Sequence, residues 1–236
     1  MAVLVLALGG CSSTQYLRGE LIGRDRDGRP IYSWESFQLE GDLVWVLRND
    51  GNSIAIVGYR GTNTDVQIPS QIGDLPVTEI QSLQSIDHLG LGRWRHTSST
   101  PLTSVNIPDG VTTILAGVFA NNQLTTITIP NSVTSIGEAA FANNPQLASV
   151  TIGNGVGSLD ENVFTGSLRN LTRISIGANV NLSAIRARIT LSTRNSQATV
   201  ENSDVVWVGF HGAYTSNGNQ AGVYTLSGGR WNFQPR

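Results

Sequence analysis

Few side chains in this 236-residue chain are equipped for chemistry, and their spacing narrows the choice further. There is one cysteine, Cys11, which excludes an internal disulfide framework and a zinc site built from cysteines. The three histidines, His88, His96 and His211, are spaced too widely for a metal-ligand pair on one turn of helix. No Gly-x-Ser-x-Gly elbow, Walker loop or Gly-x-Gly-x-x-Gly between strand and helix occurs. Glu138, Asp160 and Glu161 fall where a short turn faces solvent. No pair of carboxylates is placed to work across a sugar bond. The expectation is a protein without catalytic residues, metal or cofactor.

The remaining chemistry is at the start. Val3 to Leu8 is an apolar run too short to span a bilayer, and it ends in Gly9 and Gly10. Leu8-Gly9-Gly10-Cys11 resembles the lipobox of bacterial lipoproteins, although no Lys or Arg precedes the apolar run. In that family the cysteine is acylated on sulfur and becomes the new N-terminus. The resemblance implies a signal peptide over 1–10, lipidation of Cys11, and a membrane partner reached through the lipid. Ser12 and Ser13 follow the cysteine, with no Asp of the kind linked to inner-membrane retention. The implied address is therefore the outer membrane, as a surface-exposed lipoprotein of the cell envelope.

Composition sets the class of the body. Net charge is -2, and 14% of residues are charged against 39% hydrophobic. A nucleic-acid surface needs a basic excess, which is absent. Bulk disorder needs fewer apolar residues. Residues 11–42 are polar and charge-mixed and read as a tether. Leu43-Val-Trp-Val-Leu-Arg48 and Ser53-Ile-Ala-Ile-Val-Gly-Tyr59 flank Asn49-Asp50-Gly51-Asn52. That pattern predicts a β-hairpin, because Gly supplies the positive φ of a tight turn.

Beyond the hairpin the chain repeats. Leu102, Leu124, Leu147 and Leu171 open units 22 to 24 residues apart. Each begins Leu-x-x-Val/Ile-x-Ile, and the first three continue through a second apolar step to Phe119, Phe141 and Phe164. Val66-Gln-Ile68-Pro69 and Val77-Thr-Glu-Ile80 form an earlier, stretched unit. Residues 81–101 interrupt the array as a larger loop or an irregular repeat. Period-2 alternation sends Val105 and Ile107 inward and Ser104 and Asn106 outward. Gly137 to Phe141 suits one helical turn. The three phenylalanines predict an aromatic spine, and the asparagines after them (Asn121, Asn122, Asn143, Asn144) predict corner residues. A unit of this length cannot bury its apolar face alone, so the copies must stack.

Leu-x-x-Val-x-Ile-Pro-x-x-Val-x-x-Ile-Gly-x-x-Ala-Phe resembles the BspA-like class of leucine-rich repeats, found in surface lipoproteins of anaerobes and spirochaetes. The likeness covers roughly residues 43–180 and is most specific over 102–164. It implies a mixed β/α repeat solenoid: a leucine-rich-repeat array of short parallel strands over 43–182, with an N-terminal hairpin cap. It also implies adhesion and protein partners, on a host matrix or a neighbouring cell.

Residues 183–236 lose the rhythm and read as a small aromatic-rich C-terminal β module or cap. Val205-Val-Trp-Val208 is strand-like, Phe210 and Tyr214 have helical spacing, and Gly222 to Trp231 reads as a strand, a Gly-Gly turn and a second strand. Three functional readings follow. A binding protein would use the outward strand positions. Asp65, Ser104, Thr126, Ser149 and Arg173 form one column, and Gln67, Asn106, Thr128, Thr151 and Ser175 form its neighbour. Arg93, Trp94 and Arg95 form a more anchor-like loop. A structural or self-associating envelope scaffold would need no foreign ligand. A glycan-binding module would use Tyr214, Tyr224 and Trp231.

Overall fold

The computed structural model describes residues 21–24, 30–32, 38–48, 50–83, 85–88, 94–97, 101–178, 180–182, 189–191, 198–200 and 202–235. Strands β1 (Leu21–Arg24) and β2 (Pro30–Tyr32) pair antiparallel. Strand β3 (Gln38–Glu40) lies antiparallel beside β4 (Leu43–Leu47), which forms the expected hairpin with β5 (Ile54–Tyr59). The cap therefore takes in Gln38, upstream of the Leu43 boundary read from the apolar pattern. At the hairpin turn Gly51 has φ 67. The Asp50 carboxylate accepts the N–H groups of Asn52 (2.9 Å) and Ser53 (3.1 Å).

Strands β4 and β5 are apolar without a break because both of their faces are covered. Trp45, Ile54 and Ile56 join the main core. Val44, Val46, Ala55 and Val57 form a second cluster behind them.

Each coil of the array then contributes two short strands. The first wall contains β6 (Asp65–Gln67), β11 (Ser104–Asn106), β13 (Thr126–Ile129), β15 (Ser149–Ile152) and β17 (Arg173–Ile176). The second contains β8 (Leu75–Ile80), β12 (Thr113–Ile114), β14 (Ser135–Ile136), β16 (Ser158–Leu159) and β18 (Asn181–Leu182). Neighbours pair in parallel within four stretches: β6 with β11, β13–β15–β17, β8–β12–β14, and β16 with β18. Strand β5 runs parallel to β8 and closes the N-terminal end of the second wall.

The stretched first coil contains β7 (Gln71–Ile72), which turns back on β8 at Gly73 (φ 58). In the 81–101 interruption, the described part is a hairpin of β9 (Ser85–His88) and β10 (Trp94–Thr97), with β9 set beside β5.

A third side is made by the phenylalanine turns. The N–H of Phe119 donates to Ala140, and that of Phe141 to Val163. The rings of Phe119 and Phe141 stack with centroids 5.1 Å apart, and those of Phe141 and Phe164 at 5.5 Å, so the expected spine is present. The expected helical turn is not general. It forms in the third unit, as a 3-10 helix over Glu161–Phe164 capped by Asp160. In the second unit Ala139 has φ 55, a left-handed value that no right-handed helix accommodates, and Gly137 to Phe141 is a tight turn instead.

The C-terminal module contains β19 (Ile189–Leu191) paired with β20 (Ala198–Val200), helix α1 (Asn202–Ser216), β21 (Gly222–Ser227) and β22 (Arg230–Pro235). Val205–Val208, read above as strand-like, is the middle of α1. A four-residue apolar run cannot separate strand from helix by its period, and the helix runs on through Gly209 to Phe210. Strand β21 pairs antiparallel with β17, and β22 with β21 across Gly228 and Gly229 (φ 57 and 76). Phe210, Tyr214 and Tyr224 lie in the same core as Ile174 and Ile176, so helix and hairpin close the open end of the last coil.

Candidate interaction surface

The first wall is the place where the sequence put a contact face, and strand pairing decides whether its columns exist. Ser104 stands opposite Asp65, and Asn106 opposite Gln67. Thr126, Ser149 and Arg173 are in register, as are Thr128, Thr151 and Ser175. The inward partners between them, Val66, Val105, Ile127, Val150 and Ile174, are buried. Period-2 alternation thus sorts each short strand into an apolar side and a polar side.

Exposure separates the columns. Asp65, Ser104, Thr126 and Arg173 are exposed and Ser149 is half-buried, so the first column is open along its length. Gln67, Asn106 and Thr128 are exposed and Thr151 is half-buried. Ser175 departs from the expectation: it is 2% exposed, and its hydroxyl has no hydrogen-bond partner. Strand β17 is an interior strand flanked by Thr151 and Val223, and its short serine lies below both larger neighbours. Ser175 is removed from the contact face.

The same pairing adds residues that the repeat pattern did not mark. Arg173 faces Thr225, which faces Asn232; Ser175 faces Val223, which faces Gln234. The polar face therefore continues past the last repeat onto the hairpin. The alternation in Gly222 to Ser227 was visible, but its register against Arg173 to Ile176 depends on a long-range contact that no local pattern reveals.

The charges on this face are uneven. Asp65 lies at its N-terminal end, where Gln67 Nε2 donates to its carboxylate at 2.8 Å. Arg173 lies near the other end, and Arg230 follows on the hairpin. Neither Asp65 nor Arg173 has an ion-pair partner among the described residues. The described ion pair, Arg48 with Glu79 at 3.0 Å, is elsewhere, in the N-terminal sheet. There Gln81 Nε2 also donates to the Glu79 carboxylate, at 2.7 Å.

The other candidate residues divide into three groups. Cys11 and Arg93 lie outside the described residues. Trp94 and Arg95 are on β10, opposite His88 and Asp87. Tyr214 and Tyr224 are core residues, 1% and 0% exposed, and so present no surface to a glycan, while Trp231 is half-buried. The Tyr214 hydroxyl accepts the N–H of Val180 (3.0 Å) and donates to the carbonyl of Gly177 (2.9 Å). Burial raises the pKa of Tyr214, and burial with the nearby Tyr214 charge pushes that of Tyr224 up to about 12. Among the described residues no group of His, Cys, Asp or Glu is arranged to hold a metal ion, and no helix is long and apolar enough to cross a membrane.

This geometry of three-sided coils and an aromatic spine can be set beside known proteins. A family model described as the BspA type leucine rich repeat region, in six copies, matches residues 76–199. The chain belongs to the BspA-type leucine-rich-repeat family. Leucine-rich-repeat proteins generally bind other proteins and are typically non-enzymatic, and membership suggests protein–protein interaction or adhesion. Among solved structures, the chain is similar to the leucine-rich-repeat protein of T. pallidum, at 25% identity over 61% of this chain and 84% of that one, with a TM-score of 0.35. It is also similar to a leucine-rich cell surface protein of Faecalibacterium prausnitzii, at 24% identity over 61% of this chain, with a TM-score of 0.42. The matched region spans 43% of that protein. Comparison with curated proteins finds no match.

Proposed function

We propose that this BspA-type repeat protein is a lipid-anchored protein of the bacterial cell envelope that binds other proteins, in adhesion, through the outward columns of its first wall. The observation that carries the reading is the register itself. Polar side chains from successive coils form one exposed face, while every alternate residue is committed to the core. A surface of small polar groups with few aromatic anchors supports weak, multivalent contact better than one tight site. Such binding suits a protein displayed in many copies on a host-facing or neighbour-facing surface.

Cys11 supplies the display. Leu8-Gly9-Gly10-Cys11 supports removal of residues 1–10 and acylation of the new N-terminus. Two or more acyl chains hold a protein on a membrane where a single chain releases it. The test is protease treatment of intact cells that express wild type or Cys11→Ser. Wild type is expected to stay cell-bound and be cleaved, and Cys11→Ser to be shed or left unprocessed. Wild type protected until the envelope is opened overturns the surface reading. For the face, Thr126→Arg is expected to lower capture of the cells by matrix proteins or by neighbouring cells.

A further inference from the structure

The first column carries opposite charges at its two ends and small neutral residues between them. Its order is Asp65, Ser104, Thr126, Ser149, Arg173, with Thr126 in the middle; β11 and β13 lie side by side without ladder pairing, and the other neighbours are in register. A two-fold axis lying in the face, along strand β13, reverses the order of strands while leaving Thr126 over its own copy. Asp65 of one chain then meets Arg173 of the other, and Arg173 meets Asp65. Ser104 meets Ser149 twice. A column with this antisymmetric charge pattern is complementary to itself, as an isologous dimer contact must be.

We infer that the partner of this face is a second copy of the chain, bound face to face about Thr126. The inference rests on the reading of the first wall as a contact surface and names what covers it.

Three features support the geometry. The residues between the charges are short, so the two walls approach closely. Both charged groups are exposed, and neither has an ion pair among the described residues. Asp65 is held in place by Gln67, which lowers the cost of fixing it in the pair. Strands about 4.8 Å apart put Asp65 and Arg173 roughly 20 Å from each other, so the two cross-pairs bracket the contact. A patch two columns wide and roughly 20 Å long falls short of the roughly 800 Å² per partner of a standard stable complex. Association is therefore weak in dilute solution and is strengthened where an anchor confines the copies to one surface.

Disulfide trapping tests the axis. In the full chain with Cys11→Ser, Thr126→Cys places a thiol on the two-fold, and Thr134→Cys places one at the exposed residue just before β14, on another side of the coil, as a control. Under a mild oxidant, Thr126→Cys is expected to form dimers about tenfold faster than the control. Adding Arg173→Glu alone, or Asp65→Arg alone, should remove the advantage, and the two together should restore it. Equal rates at both cysteines, or a folded double variant that stays slow, overturns the inference. Thr126→Arg in the cell-capture assay keeps the two proposals separable. If it abolishes capture while Thr126→Cys fails to trap, the face binds a different protein and self-pairing is excluded.

Discussion

Asn122 and Asn144 each follow a left-handed asparagine at the corner beyond the phenylalanine. Asn121 and Asn143 take the positive φ (60 and 54) and stay exposed, where Asn143 Nδ2 donates to Asn121 Oδ1 at 3.0 Å. The next residue then turns into the core. Asn144 is fully buried: it accepts the Leu124 N–H at 3.2 Å and donates to the carbonyls of Phe119 and Phe141 at 2.9 and 3.0 Å. It thereby binds two coils through groups that no ladder satisfies. Asn144→Ala should cost about 3 kcal/mol, since a stranded buried donor or acceptor costs roughly 1–3 kcal/mol. Asn143→Ala should cost about 1 kcal/mol, the strain of a left-handed alanine. Urea unfolding of both variants checks this, and equal midpoints would contradict the assignment. In the sequence the doublets were legible as corner residues because they recur in phase with phenylalanine. Which member enters the core was not legible, because it depends on the handedness of the turn. The third unit makes the same corner with other residues. Gly166 has φ 75, and a Cβ there would lie 2.3 Å from Asn143 Oδ1. Ser167 then takes the buried role, accepting the Asn144 N–H and donating to the Phe141 carbonyl.

At the scale of elements, the repeat strands and the spine were readable because each is dictated locally and then copied. The 15-residue helix α1 was read only in its last part, because the short apolar run Val205 to Val208 has no period that separates strand from helix. Phe210 packs edge-on to Tyr224 at 5.4 Å and to Trp231 at 5.5 Å, and Tyr214 to Tyr224 at 5.8 Å. This cluster joins helix, hairpin and last coil, and it makes their union sensitive to alkali. Burial pushes the Tyr224 pKa up to about 12 in the folded chain, against about 10 once exposed. Above pH 10 the unfolded chain therefore holds fewer protons than the folded one, so stability falls as pH rises from 10 through 12. Below pH 10 both states keep the proton and no such loss occurs. Tyr224→Phe removes this titration at the expense of one long hydrogen bond to the Gln220 carbonyl (3.3 Å). Denaturant midpoints measured across that range should drop less steeply for Tyr224→Phe than for wild type. An identical slope would mean that the cluster opens without Tyr224 ionising.

For the whole molecule, stacking explains both the stability of the array and its dependence on its ends. Each coil gives its apolar face to the next, so an interior coil such as Leu124 to Phe141 is covered on both sides. Among the described residues no repeat strand follows β17 on the first wall, and Leu171, Ile174, Ile176 and Val180 share one core with Phe210, Tyr214 and Tyr224 of the C-terminal module. Tyr214 fastens that module by bridging Gly177 and Val180, and β21 by pairing along the whole of β17. Removing residues 202–236 should therefore bare an apolar coil end and the unpaired edge of β17 together, which is the combination that recruits strands from other chains. The truncated chain is expected to elute as aggregates in size-exclusion chromatography with light scattering. Trp231→Ala, which trims a half-buried ring and leaves β21 in place, should stay soluble with a lower melting temperature. A truncated chain that remains soluble and unfolds cooperatively would show that the array holds its last coil without the helix and hairpin, and would make the module an attachment rather than a cap.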